Sequence, residues 1–120
     1  MQSVQRPKRG DIVWVRLDPV EGAEQAGERP VLVVSPSVIN EHSPVILIAS
    51  ITSKKTDRVY PFEVLIEPPE GGLKQRSKVL LLQLRSVDKR RLTREGGTLT
   101  SERMTQVDAA IRVATGLVHF

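Results

Sequence analysis

Three polar residues of this sequence stand where apolar runs begin or end, and all three suit phosphate chemistry. Arg29 precedes the run Val31–Val34, Thr52 follows the run 45–51, and Gln83 follows the run Val79–Leu82. Arginine is a permanent planar cation that pairs well with phosphate oxygens. A threonine hydroxyl and a glutamine amide can hydrogen-bond the same group. If the strands bring these three side chains together, they form a binding site for a phosphodiester.

The segment that carries Arg29 is unusual for a connection between two strands. Residues 18–30 contain two glycines, three glutamates and the arginine. A hairpin needs only about two to five connecting residues, and longer connections usually serve a function. Arg29 is either held there for chemistry or is a surface charge paired with Glu24 or Glu28, and the residue types alone are compatible with both.

A second group of residues is cationic and lies in the later loops. Its members could line a basic groove beside Arg29 and Thr52, although such groups more often form a solvated surface. They are Lys54, Lys55, Arg58, Lys74, Arg76 and Lys78.

Composition limits the possible classes of function. The 120 residues suit one domain, assigned here to 1–120 with a loose N-terminal arm over 1–9. Eighteen Lys and Arg against 14 Asp and Glu give a charge of +4, which favours a polyanionic partner. There is no cysteine, and His42 and His119 lie far apart, so no metal or other cofactor is expected. We find no apolar segment long enough for a membrane span or signal region and expect a cytoplasmic protein.

The elements that must position these side chains are mainly strands. Alternating or continuous apolar runs predict five strands, at 11–18, 30–35, 45–51, 62–66 and 78–84. A helical turn is possible at 37–41, and Gly96-Gly97 indicates a turn. Trp14 should lie on the face opposite Val13 and Val15, either covering a neighbouring side chain or contacting another subunit.

In the C-terminal segment the spacing of apolar residues changes from that of a strand to that of a helix, which predicts a C-terminal helix. Thr100 or Ser101 can cap it, and Glu102 suits the positive end of its dipole. The predicted apolar stripe is Met104, Val107, Ile111, Ala114, Leu117 and Val118. The resulting fold class is mainly β with a C-terminal helix (α+β), a small curled barrel or half-open sheet with the helix packed on it.

Longer motifs resemble one known family. Residues 8–14 have the sequence KRGDIVW, and residues 22–30 have the sequence GAEQAGERP. Together with ITS at 51–53, YPFEV at 60–64 and the run 78–92, they resemble, in order, the motifs of the MazF/PemK toxin family. The resemblance spans residues 7–120, and its E-Q-x-G-x-R-P element is specific.

The resemblance implies a toxin of a type II toxin–antitoxin system with an SH3-like barrel of about five to seven strands. Such toxins are homodimeric, sequence-specific, metal-independent endoribonucleases that cut single-stranded RNA, often mRNA, and so inhibit translation and growth. Attack by the 2′-hydroxyl leaves a 2′,3′-cyclic phosphate and a 5′-hydroxyl. The implied partner is an antitoxin whose acidic, disordered C-terminal tail folds into the dimer groove and blocks Arg29.

The resemblance also implies site residues. The catalytic residues are Arg29, which stabilises charge on the five-coordinate phosphorus, Thr52, which holds a non-bridging oxygen, and Glu24, a candidate base. The general acid and base stay unassigned. Residues expected to bind RNA are Gln25, Ser53, Lys54, Lys55, Arg58, Arg76, Lys78 and Gln83.

Three other classes of function are compatible with parts of the sequence. A toxin resembling CcdB would share the fold and bind DNA gyrase without cutting nucleic acid. An SH3-like adaptor needs an aromatic groove for proline-rich peptides, which 3% aromatic residues hardly supply. A relative without catalysis could act as a repressor. Because the loop 18–30 and Thr52 suit phosphoryl transfer, the sequence favours the nuclease.

Overall fold

The computed structural model describes residues 6–16 and 27–118 of the chain. The strands are β1 Asp11–Arg16, β2 Glu28–Val33, β3 Val45–Thr52, β4 Glu63–Ile66, β5 Ser77–Asp88 and β6 Leu92–Thr98. The helices are α1 Ser37–His42 and α2 Ser101–Ala114. Two 3₁₀ turns, Glu70–Gly72 and Lys89–Arg91, connect strands near the sheet edges.

The strands form a six-stranded sheet in the order β4-β5-β3-β2-β1-β6. Every neighbouring pair is antiparallel. Within the described residues the edge strands β4 and β6 do not pair with each other, so the sheet is open. The predicted fold class, mainly β with a C-terminal helix, is confirmed, in its half-open form rather than as a closed barrel.

Both faces of the sheet carry apolar clusters, because the second half of β2 and most of β3 are apolar at successive positions. One cluster includes Leu32 and Ala49 and packs against α2. The other, on the opposite face, includes Val13, Val31 and Ile48. Alternating side chains of one strand point to opposite faces, so continuous apolar runs such as those of β2 and β3 are buried on both sides.

Helix α2 begins where the sequence predicts and ends before the last residues of the predicted apolar stripe. The Thr100 side chain caps it by accepting a hydrogen bond from the Arg103 backbone N–H at 3.1 Å. Val107 and Ala110 are buried against the sheet. The predicted stripe is wrong at its end, since the helix stops at Ala114 and Leu117 is 74% exposed.

The sequence prediction missed strand β6 and the length of β5. Gly96 and Gly97, predicted as a turn, lie within β6, which pairs with β1. Both glycines are needed there because neighbouring backbone comes very close. A Cβ on Gly97 would lie 2.4 Å from the Gly71 carbonyl carbon, and one on Gly96 would lie 2.8 Å from the Ile12 oxygen.

We therefore expect Gly97→Ala to destabilise the fold by about 1–3 kcal/mol, the usual range for overpacking. The clash is with backbone, which cannot rotate away as a side-chain tip can. Urea denaturation followed by circular dichroism measures the change. The matched control is Gly27→Ala, since no atom of the described residues lies within 4 Å of its added methyl group. Equal midpoints for the two variants would contradict the close approach.

The described end of the N-terminal segment contacts the rest of the domain. Pro7 is buried, and the Arg9 guanidinium donates to the Val34 carbonyl at 2.8 Å and to Asp108 at 2.7 Å. The loose arm over 1–9 stays a prediction, and residues 1–5 lie outside the described part. In the described ranges, no helix has the length and apolar character needed to cross a membrane.

A charged network ties the Glu70–Gly72 turn to the start of α2. Glu70 accepts hydrogen bonds from the Arg103 guanidinium at 3.0 and 3.1 Å and from the Thr100 backbone N–H at 3.2 Å. Partial burial raises the pKa of Glu70, but the hydrogen bonds from Arg103 and Thr100 outweigh it, and the net pKa lies below its ordinary value of 4.5.

A lowered pKa in the folded state gives this network a defined pH dependence. Its stabilisation is present above the ordinary pKa of a glutamate and is lost as pH falls through the lowered folded value. We expect Glu70→Gln to cost about 1–3 kcal/mol at neutral pH, the range for a hydrogen bond to a charged group, and much less at about pH 3. Denaturation midpoints of the wild type and Glu70→Gln, measured across this pH range, test the prediction. Curves that stay parallel as pH changes would contradict the coupling between the ionisation of Glu70 and stability.

Candidate active site

Arg29 and Thr52 are brought together by the pairing of the two central strands. Strand β2 pairs with β3 so that Val31 faces Ser50 and Leu32 faces Ala49. Continuing this register by two residues places Arg29 opposite Thr52 on the same face. Directly opposed residues have Cβ atoms about 4.5–5.5 Å apart in a regular ladder. The pairing itself ends at Val31 and Ser50, so the two predicted residues lie at the same end of the central pair, just beyond the last paired positions of β2 and β3.

The Thr52 hydroxyl is oriented by the turn that follows β3. Its oxygen accepts a hydrogen bond from the Lys54 backbone N–H at 3.1 Å. A hydroxyl that already accepts a bond keeps its own proton for donation. Lys55 has a φ of 57°, a left-handed conformation that non-glycine residues seldom adopt outside tight turns. The turn therefore leaves Thr52 able to donate to an oxygen of a ligand.

A cleft of about 530 Å³ lies beside this pair of residues. Arg29, Thr52, Ser53 and Lys54 all line it, which places four of the predicted site residues in one depression. Among the described residues that line it, Arg29, Lys54, Lys74 and Arg94 carry positive charge and Glu95 carries negative charge. Arg94 is itself paired with Glu28, so the excess comes from Arg29, Lys54 and Lys74. This excess of positive charge suits a phosphate backbone.

Of the two glutamates that could pair with Arg29, Glu24 and Glu28, the structure shows that Glu28 pairs with another arginine. Glu28 forms its ion pair with Arg94, at 2.9 Å. Hydrogen bonds from Thr93 and then from Arg94 lower the pKa of Glu28, which keeps it ionised. Among the described residues no carboxylate lies within ion-pair distance of the Arg29 guanidinium. Glu24 and Gln25 fall in 17–26, outside the described residues.

Two of the predicted RNA-binding residues lie in other places than expected. The side chain of Lys78 is 6% exposed, and its ammonium is paired with Glu63 at 2.9 Å instead of lining a groove. Gln83 was expected at the end of its strand, near Thr52. It lies in an irregular, exposed part of β5, where the register shifts between Ala49 and Ser50, while Thr52 faces Lys78. Four residues of β5 thus lie between Gln83 and Lys78, the residue opposite Thr52.

The other predicted cations, Lys55, Arg58 and Arg76, are exposed and do not line the cleft. Lys55 and Arg58 lie in the connection between β3 and β4, where the Arg58 guanidinium donates to the Tyr60 hydroxyl at 3.3 Å. Arg76 pairs with Glu67 at 3.0 Å. These side chains can reach an extended ligand that leaves the cleft.

Two lining residues were missed as site residues. Arg94 lies on β6, the strand that the sequence prediction did not include, and Trp14 lies opposite it on β1. The Arg94 guanidinium carbon is 4.2 Å from the centroid of the Trp14 ring. Trp14 therefore covers a neighbouring side chain, the first of its two interpretations. No metal-binding group of three or more His, Asp or Glu side chains occurs in the described residues.

Comparison with known proteins decides the family. The model of the PemK-like, MazF-like toxins of type II toxin–antitoxin systems matches residues 8–115. The chain belongs to this family. The Bacillus subtilis endoribonuclease EndoA is 39% identical over 113 residues, which cover 94% of this chain and 97% of that protein.

Solved structures of MazF toxins share the fold over nearly the whole chain. The MazE–MazF structure from Deinococcus radiodurans superposes with a TM-score of 0.77 and 30% identity, covering 94% of this chain and 98% of that one. The Mycobacterium tuberculosis toxin MazF-mt6 gives 0.76 and 26% identity, covering 91% and 99%. The prediction of a MazF/PemK endoribonuclease toxin is confirmed, and the CcdB-like alternative gains no support.

Proposed function

We propose that this MazF/PemK toxin cuts single-stranded RNA at specific sequences without a metal ion, and that Arg29 and Thr52 bind the scissile phosphate. The observation that supports the proposal is their placement at the same end of β2 and β3, in the lining of one cleft rich in positive charge. A planar cation and a hydroxyl donor are the groups that a phosphoryl centre needs as its charge increases.

The proposed reaction transfers the phosphoryl group within the RNA. The 2′-oxygen loses its proton and bonds to the adjacent phosphorus, and the bond from phosphorus to the 5′-oxygen breaks. The leaving oxygen takes up a proton, so the products are a 2′,3′-cyclic phosphate and a 5′-hydroxyl. Arg29 stabilises the negative charge on the non-bridging oxygens, and Thr52 donates a hydrogen bond to one of them.

The reaction also needs a base for the 2′-hydroxyl proton and an acid for the 5′-oxygen. We propose Glu24 as the base that accepts the 2′-hydroxyl proton, because a carboxylate on the loop before Arg29 is close in sequence to the phosphate-binding residue. The described residues offer no histidine near the cleft for the acid.

RNA on either side of the cut would follow the basic surface around the cleft. Ser53 and Lys54 line the cleft itself, and the cations Lys55, Arg58 and Arg76 are exposed outside its lining. Gln25 completes the proposed set. Single-stranded RNA is recognised through the edges and faces of unstacked bases, so the loops that carry these residues would select the sequence.

The proposed partners follow from the family and from this charge. The Deinococcus radiodurans relative was crystallised as MazE–MazF, a toxin with its antitoxin. We propose that this toxin acts in the cytoplasm as a homodimer. An antitoxin with an acidic disordered tail would bind over the cleft cations and exclude RNA.

The test is incubation of purified protein with a long unstructured RNA in the presence of EDTA, followed by mapping of the 5′ ends. Discrete cuts, with 5′ ends that polynucleotide kinase labels without prior phosphatase treatment, are expected. Intact RNA, or cleavage that needs added magnesium, would overturn the proposal.

A further inference from the structure

Arg94 and Trp14 form a layered pair at the wall of the cleft. They face each other across the β1–β6 pair, and the guanidinium lies 4.2 Å from the indole centroid. At this separation the cation lies against the ring, an arrangement that arginine adopts readily on tryptophan.

The guanidinium is fixed on a second side by a carboxylate. Arg94 Nε donates to Glu28 Oε1 at 2.9 Å, and Glu28 immediately precedes Arg29 on β2. The Arg94 side chain is nevertheless 52% exposed, so the guanidinium is held in place and still open to the cleft. A planar group held in this way loses little conformational entropy when a ligand contacts it.

We propose that Arg94, supported by Trp14 and Glu28, is a stacking platform for one nucleobase of the RNA. This proposal rests on the proposed function and identifies a subsite beside the scissile phosphate. Unpaired RNA bases stack on aromatic rings and on guanidinium planes, and each such stack is worth about 5- to 100-fold in affinity.

The charges around Arg94 favour a base over a phosphate at this position. Glu28 already neutralises the guanidinium, and the carboxylate of a second residue, Glu95, lines the same cleft. A phosphate placed there would be repelled by these carboxylates. A neutral base carries no such penalty and gains from contact with the flat cation.

The test uses a short RNA that spans the mapped cut site and carries a 2′-deoxy nucleotide at the cut, so that it binds without being cleaved. A set of such RNAs has one base at a time replaced by an abasic nucleotide. Affinity is measured for the wild type, Arg94→Ala, Arg94→Lys and the control Arg90→Ala, which changes an exposed arginine paired with Asp88 outside the cleft. Fluorescence of Trp14, the single tryptophan of the chain, reports binding at this wall.

With the wild type and Arg90→Ala, we expect one abasic position to lose about 5- to 100-fold in affinity. In Arg94→Ala and Arg94→Lys that penalty should disappear, because lysine keeps the charge and lacks the plane. An abasic penalty that persists in both variants would overturn the proposal. So would an Arg94→Lys variant that behaves as the wild type, or a loss that is equal for all RNAs with a smaller salt dependence, which indicates a phosphate contact.

The proposed function can fail separately from this inference. If the wild type leaves RNA uncut in EDTA, the proposed function itself is wrong. If it cuts RNA and the abasic pattern is the same in all four proteins, only the platform is wrong.

Discussion

Arg29→Ala is expected to lower the rate of RNA cleavage by at least about 10²–10³-fold, the cost of removing one preorganised donor from a developing oxyanion. The reason is that Arg29 lines the same cleft as Thr52, at the same end of the two central strands. Single-turnover cleavage with the toxin in excess over the mapped RNA measures the chemical step. Thr52→Val should lower the same rate, while Thr52→Ser, which keeps the hydroxyl, should retain most of it.

The control for this experiment is Arg90→Ala, which removes an equal charge from an exposed arginine outside the cleft. It should cut RNA at the wild-type rate. Because Arg29 is exposed at the start of β2, its alanine variant should keep the wild-type denaturation midpoint. A fully active Arg29→Ala variant would remove Arg29 from the mechanism.

Lys78→Met is expected to cost about 3–5 kcal/mol in the free energy of unfolding, the cost of leaving one partner of a buried ion pair alone. The side chains of Lys78 and Glu63 are only 6% and 10% exposed, and their charged atoms lie 2.9 Å apart. The Lys78 ammonium also donates to the Arg58 carbonyl at 2.8 Å. The same change therefore loosens the loop between β3 and β4.

Arg76→Met is the matched control, since Arg76 belongs to an ion pair whose side chains are 50% and 56% exposed. An exposed pair of this kind contributes about 0–1 kcal/mol. The double variant Lys78→Met, Glu63→Gln should recover part of the loss, because the uncompensated charge is then gone. Urea denaturation of all four proteins gives the comparison. Equal effects of the two methionine variants would contradict the buried pair.

The elements that could be predicted from the sequence are those in which apolar residues follow a clear strand or helix pattern. The continuous apolar runs of β2 and β3 and the capped start of α2 are visible in the printed chain, and both were placed within a few residues. Arg29 and Thr52 could be predicted because each ends such a run. Their placement at the same end of the central pair could not, because the register of two strands depends on contacts between them and not on either strand alone.

Strand β6 could not be predicted by periodicity. Its sequence LTREGGT has one buried apolar residue, Leu92, and two glycines whose role is close approach to other backbone. Without β6, Arg94 could not be placed next to Trp14. Lys78 was misplaced for a similar reason, since its partner Glu63 lies on another strand and a lone lysine beside an apolar run usually faces solvent.

The position of Arg29 and Thr52 at the ends of the two innermost strands has a consequence for how firmly the fold holds these two residues in place. Strands at the centre of a sheet exchange their amide hydrogens slowly, because they open only when the whole domain unfolds, whereas peripheral segments open locally. Slow exchange is therefore expected along β2 and β3, the strands that position this pair, with faster exchange in the surrounding loops. The proposed phosphate-binding pair would then stay assembled when the surrounding loops open, so release from an inhibitor would restore activity without refolding.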